Sequence, residues 1–379
     1  MTEHTAPKTV TIRDVAKAAG VSISTVSRVL DDRHPPSTSP SAERVRAAAA
    51  QLGYRRDAYA SGLRRQHTGT IGVLVPRLSD TVMAVFFEEV ARACATQAGF
   101  AVVATTEDRP EAEEAAVETL LRQRVDGLIL TTARLDDRVA AGLRSQGVPH
   151  VLALRTDHIS PSATGDDELG GYLATRHLLD LGHRDIALVA GPSYASTAVA
   201  RQAGYRRAMA EAGVTEVDHL IHKSTFGMDS GETVARAVLA GPHRPTAVFA
   251  VNDNTAIGVL AAAQAAGLSV PEDLSLVGYN DIPVSARLPV ALTTVRVPFD
   301  QIAAHAVELL THQRTGVPGQ QHQVATPTLI PRQSTVRPQV RASSEAISCP
   351  VADGTAYGDG SSGDLSYGND SRTGHPYGF

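Results

Sequence analysis

Five residues of one short segment, Ile23, Ser24, Thr25, Ser27 and Arg28, share the outward side of a helix that the spacing predicts over residues 23–30. Laid in a major groove, such a helix puts hydroxyls, an apolar side chain and a guanidinium against base edges. Arg28 is the candidate for paired hydrogen bonds to a guanine. A second set follows apolar runs. Asn252 and Asp253 come after Ala247-Val248-Phe249-Ala250-Val251, and Asn280 and Asp281 close the run that begins at Leu274. Amides and carboxylates just past parallel strands meet a bound small molecule there, although the same residue types also cap the helices that follow. Catalytic patterns are missing from the sequence. It has no phosphate-cradling GxxxxGK[ST] loop, no GxSxG elbow and no HExxH. None of the 14 histidines falls at metal-site spacing, and His183 reads as a packing or capping residue. Neither an enzyme nor a metal protein is expected.

The elements that must position the first set are legible. Thr11-Ile12-Arg13-Asp14 fits a capping box, with the acidic residue at the positive helix end. Val15, Ala16 and Ala19 make one small apolar face, and Gly20 stops the helix where a left-handed turn is needed. Ser22 caps a second helix whose inward face is Val26, Val29 and Leu30. Ala16 lies four residues before Gly20 and Val26 six after it, the spacing of two helices joined by a tight turn. By itself that spacing fits a bland helical hairpin with a solvated arginine equally well. Ser39-Pro40 then opens a third helix with Val45, Ala48, Ala49 and Leu52 on its apolar face and Gly53-Tyr54 at its end. Arg44, Arg46, Arg55 and Arg56 supply positive charge for phosphates.

Charge distribution favours the nucleic-acid reading. The 379-residue chain has a net charge of -5, but residues 1–66 hold 11 Lys/Arg against 6 Asp/Glu, which leaves -10 on the remainder. A basic head on an acidic body is the footprint of a DNA-reading module joined to something else. Hydrophobic residues at 42% and charged residues at 20% are ordinary for a globular protein. No apolar run approaches the ~20 residues that span a membrane. Residues 1–8 are polar, so no secretory signal is expected. Cys94 and Cys349 stand far apart, which indicates neither a disulfide framework nor a zinc ribbon. Together these point to the cytoplasm.

From Thr70 onward, short apolar runs alternate with helical stretches. The runs include Ile71-Gly72-Val73-Leu74-Val75, Ala101-Val102-Val103-Ala104-Thr105, Gly127-Leu128-Ile129-Leu130 and Ile186-Ala187-Leu188-Val189. The alternation predicts parallel sheets with helices on both faces, in two blocks over residues 70–165 and 166–290. The expected class is α/β, an all-α helix-turn-helix head on a two-lobed core.

The run from Thr11 through Asp14-Val15-Ala16 and Gly20-Val21-Ser22-Ile23-Ser24-Thr25-Val26-Ser27-Arg28 to Leu30 resembles the head of the lactose-repressor (LacI/GalR) family. Gln51-Leu52-Gly53-Tyr54 resembles that family's third-helix ending, and the likeness continues to about Arg337. The resemblance implies that Ile23 and Ser24 read bases, with Arg28 a further contact, on a DNA face that includes Thr11, Ser22, Thr25, Ser27 and Tyr54. Residues 57–64 match a hinge helix that folds on DNA and wedges a leucine, here Leu63, into the minor groove. The sequence departs from the family at Arg56, where proline is usual, and at Gly62 inside the hinge. A glycine costs ~1 kcal/mol in a helix interior, so this hinge is expected to be disordered off DNA.

Family motifs recur through the body as Val125-Asp126-Gly127-Leu128-Ile129-Leu130, Leu181-Gly182-His183-Arg184, Arg201-Gln202-Ala203-Gly204-Tyr205, Asn252-Asp253, Val277-Gly278-Tyr279-Asn280-Asp281 and Leu292-Thr293-Thr294-Val295. They imply a periplasmic-binding-protein-like fold crossing between lobes near Gly165, Val290 and Thr328. The implied effector residues are Val82, Met83, Thr197, Arg201, Phe226, Asn252 and Asn280. Arg201 would fork onto ring oxygens or a carboxylate, Phe226 would stack on a sugar or base face, and the two asparagines would meet hydroxyls. Leu154, Val82-Met83 and Asn280 stand where relatives often carry an Asp, an aromatic pair and an Asp. The pocket is therefore expected to be less acidic and less aromatic than a typical sugar sensor's.

The resulting organisation is a flexible terminus (1–8), a helix-turn-helix domain (9–56), hinge and linker (57–69), and a core (70–340). The core's lobes are expected over 70–165 with 291–328, and 166–290 with 329–340. After Arg341 the chain is rich in Gly, Ser, Asp and Tyr and should be a disordered tail. By resemblance the partners are a two-fold DNA operator, a small-molecule effector that could be a sugar, and a second copy of the chain; no cofactor and no membrane are expected. A secreted solute-binding protein would share the core but not the basic head.

Overall fold

The structure, a computed structural model, describes residues 10–31, 37–54, 67–97, 99–317 and 319–339. The hinge expectations for Leu63, Gly62, Arg55 and Arg56, the first residues of the chain and the tail beyond Arg341 lie outside these.

The head is three helices, α1 (Ile12–Ala19), α2 (Ile23–Val29) and α3 (Pro40–Gln51). The Asp14 carboxylate accepts hydrogen bonds from the Thr11 amide at 2.8 Å and hydroxyl at 2.7 Å, which closes the first turn of α1. Gly20 ends the helix at φ 65°, and the Val21 amide then donates to the Ala16 carbonyl at 3.1 Å. Ser22 and Ser39 cap α2 and α3 through the amides of Thr25 and Ala42. Val15, Ala16, Ala19, Val26, Val45, Ala48 and Ala49 form the shared core. Leu52 is not part of it. This residue, expected on the apolar face of the third helix, follows the last helical turn and is 36% exposed.

The core holds two six-stranded sheets. The first comprises β1 (Thr70–Val75), β2 (Phe100–Thr105), β3 (Gly127–Leu130), β4 (His150–Ala153), β5 (Ser162–Gly165) and β11 (His322–Ala325), in the order β11-β5-β4-β3-β1-β2. The second comprises β6 (Ile186–Ala190), β7 (Ile221–Lys223), β8 (Ala247–Ala250), β9 (Ser275–Asn280), β10 (Thr293–Arg296) and β12 (Thr328–Ile330), in the order β12-β10-β9-β8-β6-β7. Every pairing is parallel except β10 with β12. The helices are α4 (Thr81–Thr96), α5 (Pro110–Arg122), α6 (Arg138–Ser145), α7 (Asp167–Asp180), α8 (Ser196–Glu211), α9 (Met228–Leu239), α10 (Asp253–Ala265) and α11 (Phe299–Thr315). Strands such as β3, β4, β6 and β8 are buried along their whole length, as parallel strands covered on both faces must be.

The chain crosses between lobes after β5, after β10 and between β11 and β12. The second crossing corrects the expected one near Val290. Thr293 to Arg296 hydrogen-bond along β9 in the second lobe, so the crossing comes at Val297-Pro298.

Helices α7 and α8 touch backbone to backbone. A Cβ on Gly171 would fall 2.2 Å from the Arg201 carbonyl oxygen, and one on Gly204 would fall 2.0 Å from that of Glu168. Only glycines admit so close a crossing, and it brings Asp167 of α7 against Arg201 of α8.

Candidate functional site

On the head, Thr11, Ser22, Ile23, Ser24 and Arg28 are exposed, and Thr25 and Ser27 are partly so. Ile23 is 37% exposed on the first turn of α2, an apolar side chain with no place in the head's core. The hydroxyls of Ser24 and Thr25 lie 2.8 and 2.9 Å from that of Ser22, which forms a polar cluster beside it. Tyr54 packs on the head's core. Arg46 donates to the Ser37 carbonyl at 2.8 Å, which fixes one of the cations expected to meet phosphates.

Between the lobes lies a cavity of about 310 Å³ at the carboxyl ends of the strands. Its lining contains all seven side chains that the resemblance implied: Val82, Met83, Thr197, Arg201, Phe226, Asn252 and Asn280. Asn280 ends β9 with φ at 106°, a conformation L residues rarely adopt. Strain of this kind concentrates at ligand sites. Asn252 is largely committed to capping, the alternative its position left open. Its Oδ1 accepts from the Thr255 amide at 2.8 Å, and its Nδ2 donates to the Phe226 carbonyl at 3.0 Å, which places Phe226 at the cavity wall. Arg201 is also less free than expected. Its Nε donates to Asp167 at 2.8 Å, its Nη1 donates to the Val251 carbonyl at 2.8 Å, and the guanidinium lies 3.7 Å over the Tyr279 ring.

The comparisons with known proteins fit this geometry. Residues 11–57 match the bacterial regulatory proteins of the lacI family, and residues 175–335 match the periplasmic binding protein-like domain. The ribose operon repressor of Escherichia coli (strain K12) is 35% identical over 328 residues, covering 86% of this chain and 99% of that one. The chain belongs to the lacI family of bacterial regulatory proteins. Among solved structures, the lac repressor dimer bound to operator and the anti-inducer ONPF superposes with a TM-score of 0.78 at 30% identity, over 87% of this chain and all of that one. The complex of the transcriptional regulator CelR with cellobiose gives 0.66 at 30% identity, over 86% and 99%. The regulator is thus a sequence-specific DNA-binding protein of the repressor type. Among its described residues no helix is long and apolar enough to cross a membrane.

Sequence reasoning missed the regulator's charged cleft residues. Asp80, Asp108, Arg155, Asp167 and Tyr194 also line the cavity. Asp80 and Asp108 follow β1 and β2, and Arg155 follows β4, so the strand-end rule that found Asn252 and Asn280 would have found them. Several tie the lobes together. Tyr194 Oη donates to Asp108 at 2.7 Å, the Leu135 amide donates to the Tyr194 carbonyl at 3.0 Å, and Asn254 Nδ2 donates to Asp80 at 2.9 Å. Burial alone would raise the Asp108 carboxyl; the Arg155 guanidinium 3.0 Å away and the Tyr194 hydroxyl bring it below its usual range. Asp253 is structural. It accepts from Thr294 Oγ1 at 2.6 Å, Ser285 Oγ at 2.8 Å and the Ile282 amide at 2.9 Å, and burial pushes it up to about 6. His183 is a packing residue, held by Thr246, Ser275 and the Val336 carbonyl.

Glu113 of α5 is 4% exposed, takes a short hydrogen bond from Thr132 beside the cleft, and is pushed up to about 7 by burial. Folded Glu113 then holds its proton more tightly than unfolded Glu113. Its contribution to stability is fully present at low pH and is lost as pH rises from about 4.5 to about 7. Glu113→Gln should therefore stabilise the regulator at pH 8 by up to about 3 kcal/mol and change little at pH 4. Urea unfolding at the two pH values checks this; an equal effect at both would rule it out.

Proposed function

We propose that the regulator is a cytoplasmic repressor that binds a two-fold operator as a dimer, and that an uncharged, hydroxylated small molecule in the cleft controls it. Ile23, Ser24 and Arg28 read bases, with Thr11, Ser22, Thr25, Ser27 and Tyr54 around them. The effector is held by Thr197, Phe226 and Asn280, with Val82 and Met83 as apolar wall. The observation that carries the ligand class is the pairing of charge. Arg155 is matched by Asp108 and Arg201 by Asp167, so neither buried guanidinium is free for an anion, and the Asn280 amide and Thr197 hydroxyl beside the Phe226 ring meet the ligand, with Asp80 and the exposed Arg77 also in the lining. Cellobiose in the CelR structure is a ligand of this kind. The role is binding rather than catalysis, with no cofactor.

Thermal unfolding against a panel of neutral sugars and nucleosides, with sugar phosphates and sugar acids beside them, tests the ligand class. A neutral ligand at 100 times its Kd should stabilise the fold by about 2.7 kcal/mol; stabilisation confined to the anions would overturn the reading. Asn280→Gly should erase that gain while leaving the fold at least as stable, because glycine accepts the 106° φ without strain. Operator retention should be unchanged in the same variant.

A further inference from the structure

Asp126 closes the gap between β3 and the segment through which the heads attach. Its side chain is only 4% exposed. Its carboxylate accepts from the Thr68 amide at 2.7 Å, the Thr68 hydroxyl at 3.0 Å and the Gly69 amide at 2.8 Å. A fourth donor comes from far along the chain: Arg314 Nη2, on the last turn of α11, at 3.0 Å. The same nitrogen lies 3.1 Å from His67 Nδ1. Next to Arg314, Gln313 clamps β4, donating to the His150 carbonyl at 2.7 Å and accepting from its amide at 3.2 Å.

The other end of α11 is in the cleft. Phe299, its first residue, lines the cavity and meets Phe86 of α4 edge to face at 6.2 Å. The helix follows directly on the Val297-Pro298 crossing, so a change of lobe angle acts on its first turn. Seventeen residues make a rod of about 25 Å. The rod lies hard against β3 beside Asp126: a Cβ on Gly127 would fall 2.7 Å from Leu310. Displacing α11 therefore displaces Arg314, the donor that holds the Asp126 carboxylate gripping residues 68 and 69.

We infer that Asp126 is a positioning residue that fixes where the linker to the DNA-binding heads leaves the core, and that α11 carries the state of the cleft to it. The inference rests on the operator-binding reading above. In a dimer the second head binds as an intramolecular event whose effective concentration depends on how tightly its tether is held. Freeing the tether lowers operator affinity without altering any group that touches DNA.

The test uses the full chain and a duplex selected by the parent from a randomised two-fold library. Asp126→Asn should weaken binding to that duplex at least tenfold, leave binding to a scrambled duplex within twofold, and speed amide exchange at Thr68 and Gly69. A folded Asp126→Asn chain with operator affinity within twofold of the parent would overturn the inference, whatever its melting temperature. If that variant does not fold, Thr68→Ala decides: about threefold weaker binding is expected, and parental binding overturns the inference. The transmission is read from a cycle with Phe299→Leu at the cleft end. That change should shift operator affinity in the parent and have no effect in Asp126→Asn; strict additivity overturns the role of α11. A parent that retains no duplex at all would refute the operator-binding reading itself, and this coupling with it.

Discussion

Exchanging Ile23 and Ser24 together should send the regulator to a different operator. Both side chains point outward from α2, which is held in place by other residues: the Ser22 cap, the Gly20 turn and Val26 in the head's core. The exchange should therefore leave head stability within about 0.5 kcal/mol. Each base pair that no longer suits the helix costs about 1–3 kcal/mol, and a two-fold operator repeats the mismatch in both halves, so the parental site should lose about 2–6 kcal/mol. Arg28→Ala should lose about 1–3 kcal/mol for each half-site and relax the preference at one base pair. Selection from a randomised duplex library reads both. An unchanged consensus after the Ile23/Ser24 exchange would mean that α2 does not read bases.

Arg201→Met should cost about 3–5 kcal/mol of folding stability, because it strands the buried Asp167 carboxylate. The pair is held between the closely crossed α7 and α8 and is nearly sealed from water. Burial already raises the Asp167 carboxyl, with Arg201 opposing. Without the guanidinium it rises further, so the folded chain binds that proton more tightly than the unfolded one. The deficit should then be smaller at pH 4 than at pH 8. Adding Asp167→Asn should recover a large part of it, since no charge is left unpaired. Denaturant unfolding of the two single variants and the double variant gives the coupling directly; additive losses would mean the two side chains do not act as a pair. The same reasoning separates the two asparagines' neighbourhood from the arginine's. Arg201 variants confound ligand loss with instability, whereas Asn280→Gly does not.

Residue pattern alone determined the head. Capping serines, a turn glycine and small apolar residues at fixed separations are local signals, and the whole unit is built from contacts close in sequence. It also determined that two parallel sheets exist and that polar residues past their strands face a shared cleft. Composition could not do what the lobes' packing does. Crossing at Val297 rather than Val290 depends on β10 finding β9 and β12, a pairing between distant segments. Leu52 reads as core by helical period but falls past the last turn, outside the head's core and 36% exposed. Arg201 and Asn252 were legible as cleft residues, yet their free valences were not. Whether a guanidinium or an amide is available to a ligand depends on which carboxylates and carbonyls the fold brings within 3 Å. For Arg201 those are Asp167 and Val251, and for Asn252 the Phe226 carbonyl, which adds to the cap on Thr255 that its position already offered. Only the tertiary structure sets these neighbours, because Asp167 is 34 positions from Arg201 and Phe226 is 26 from Asn252, and no sequence period links them.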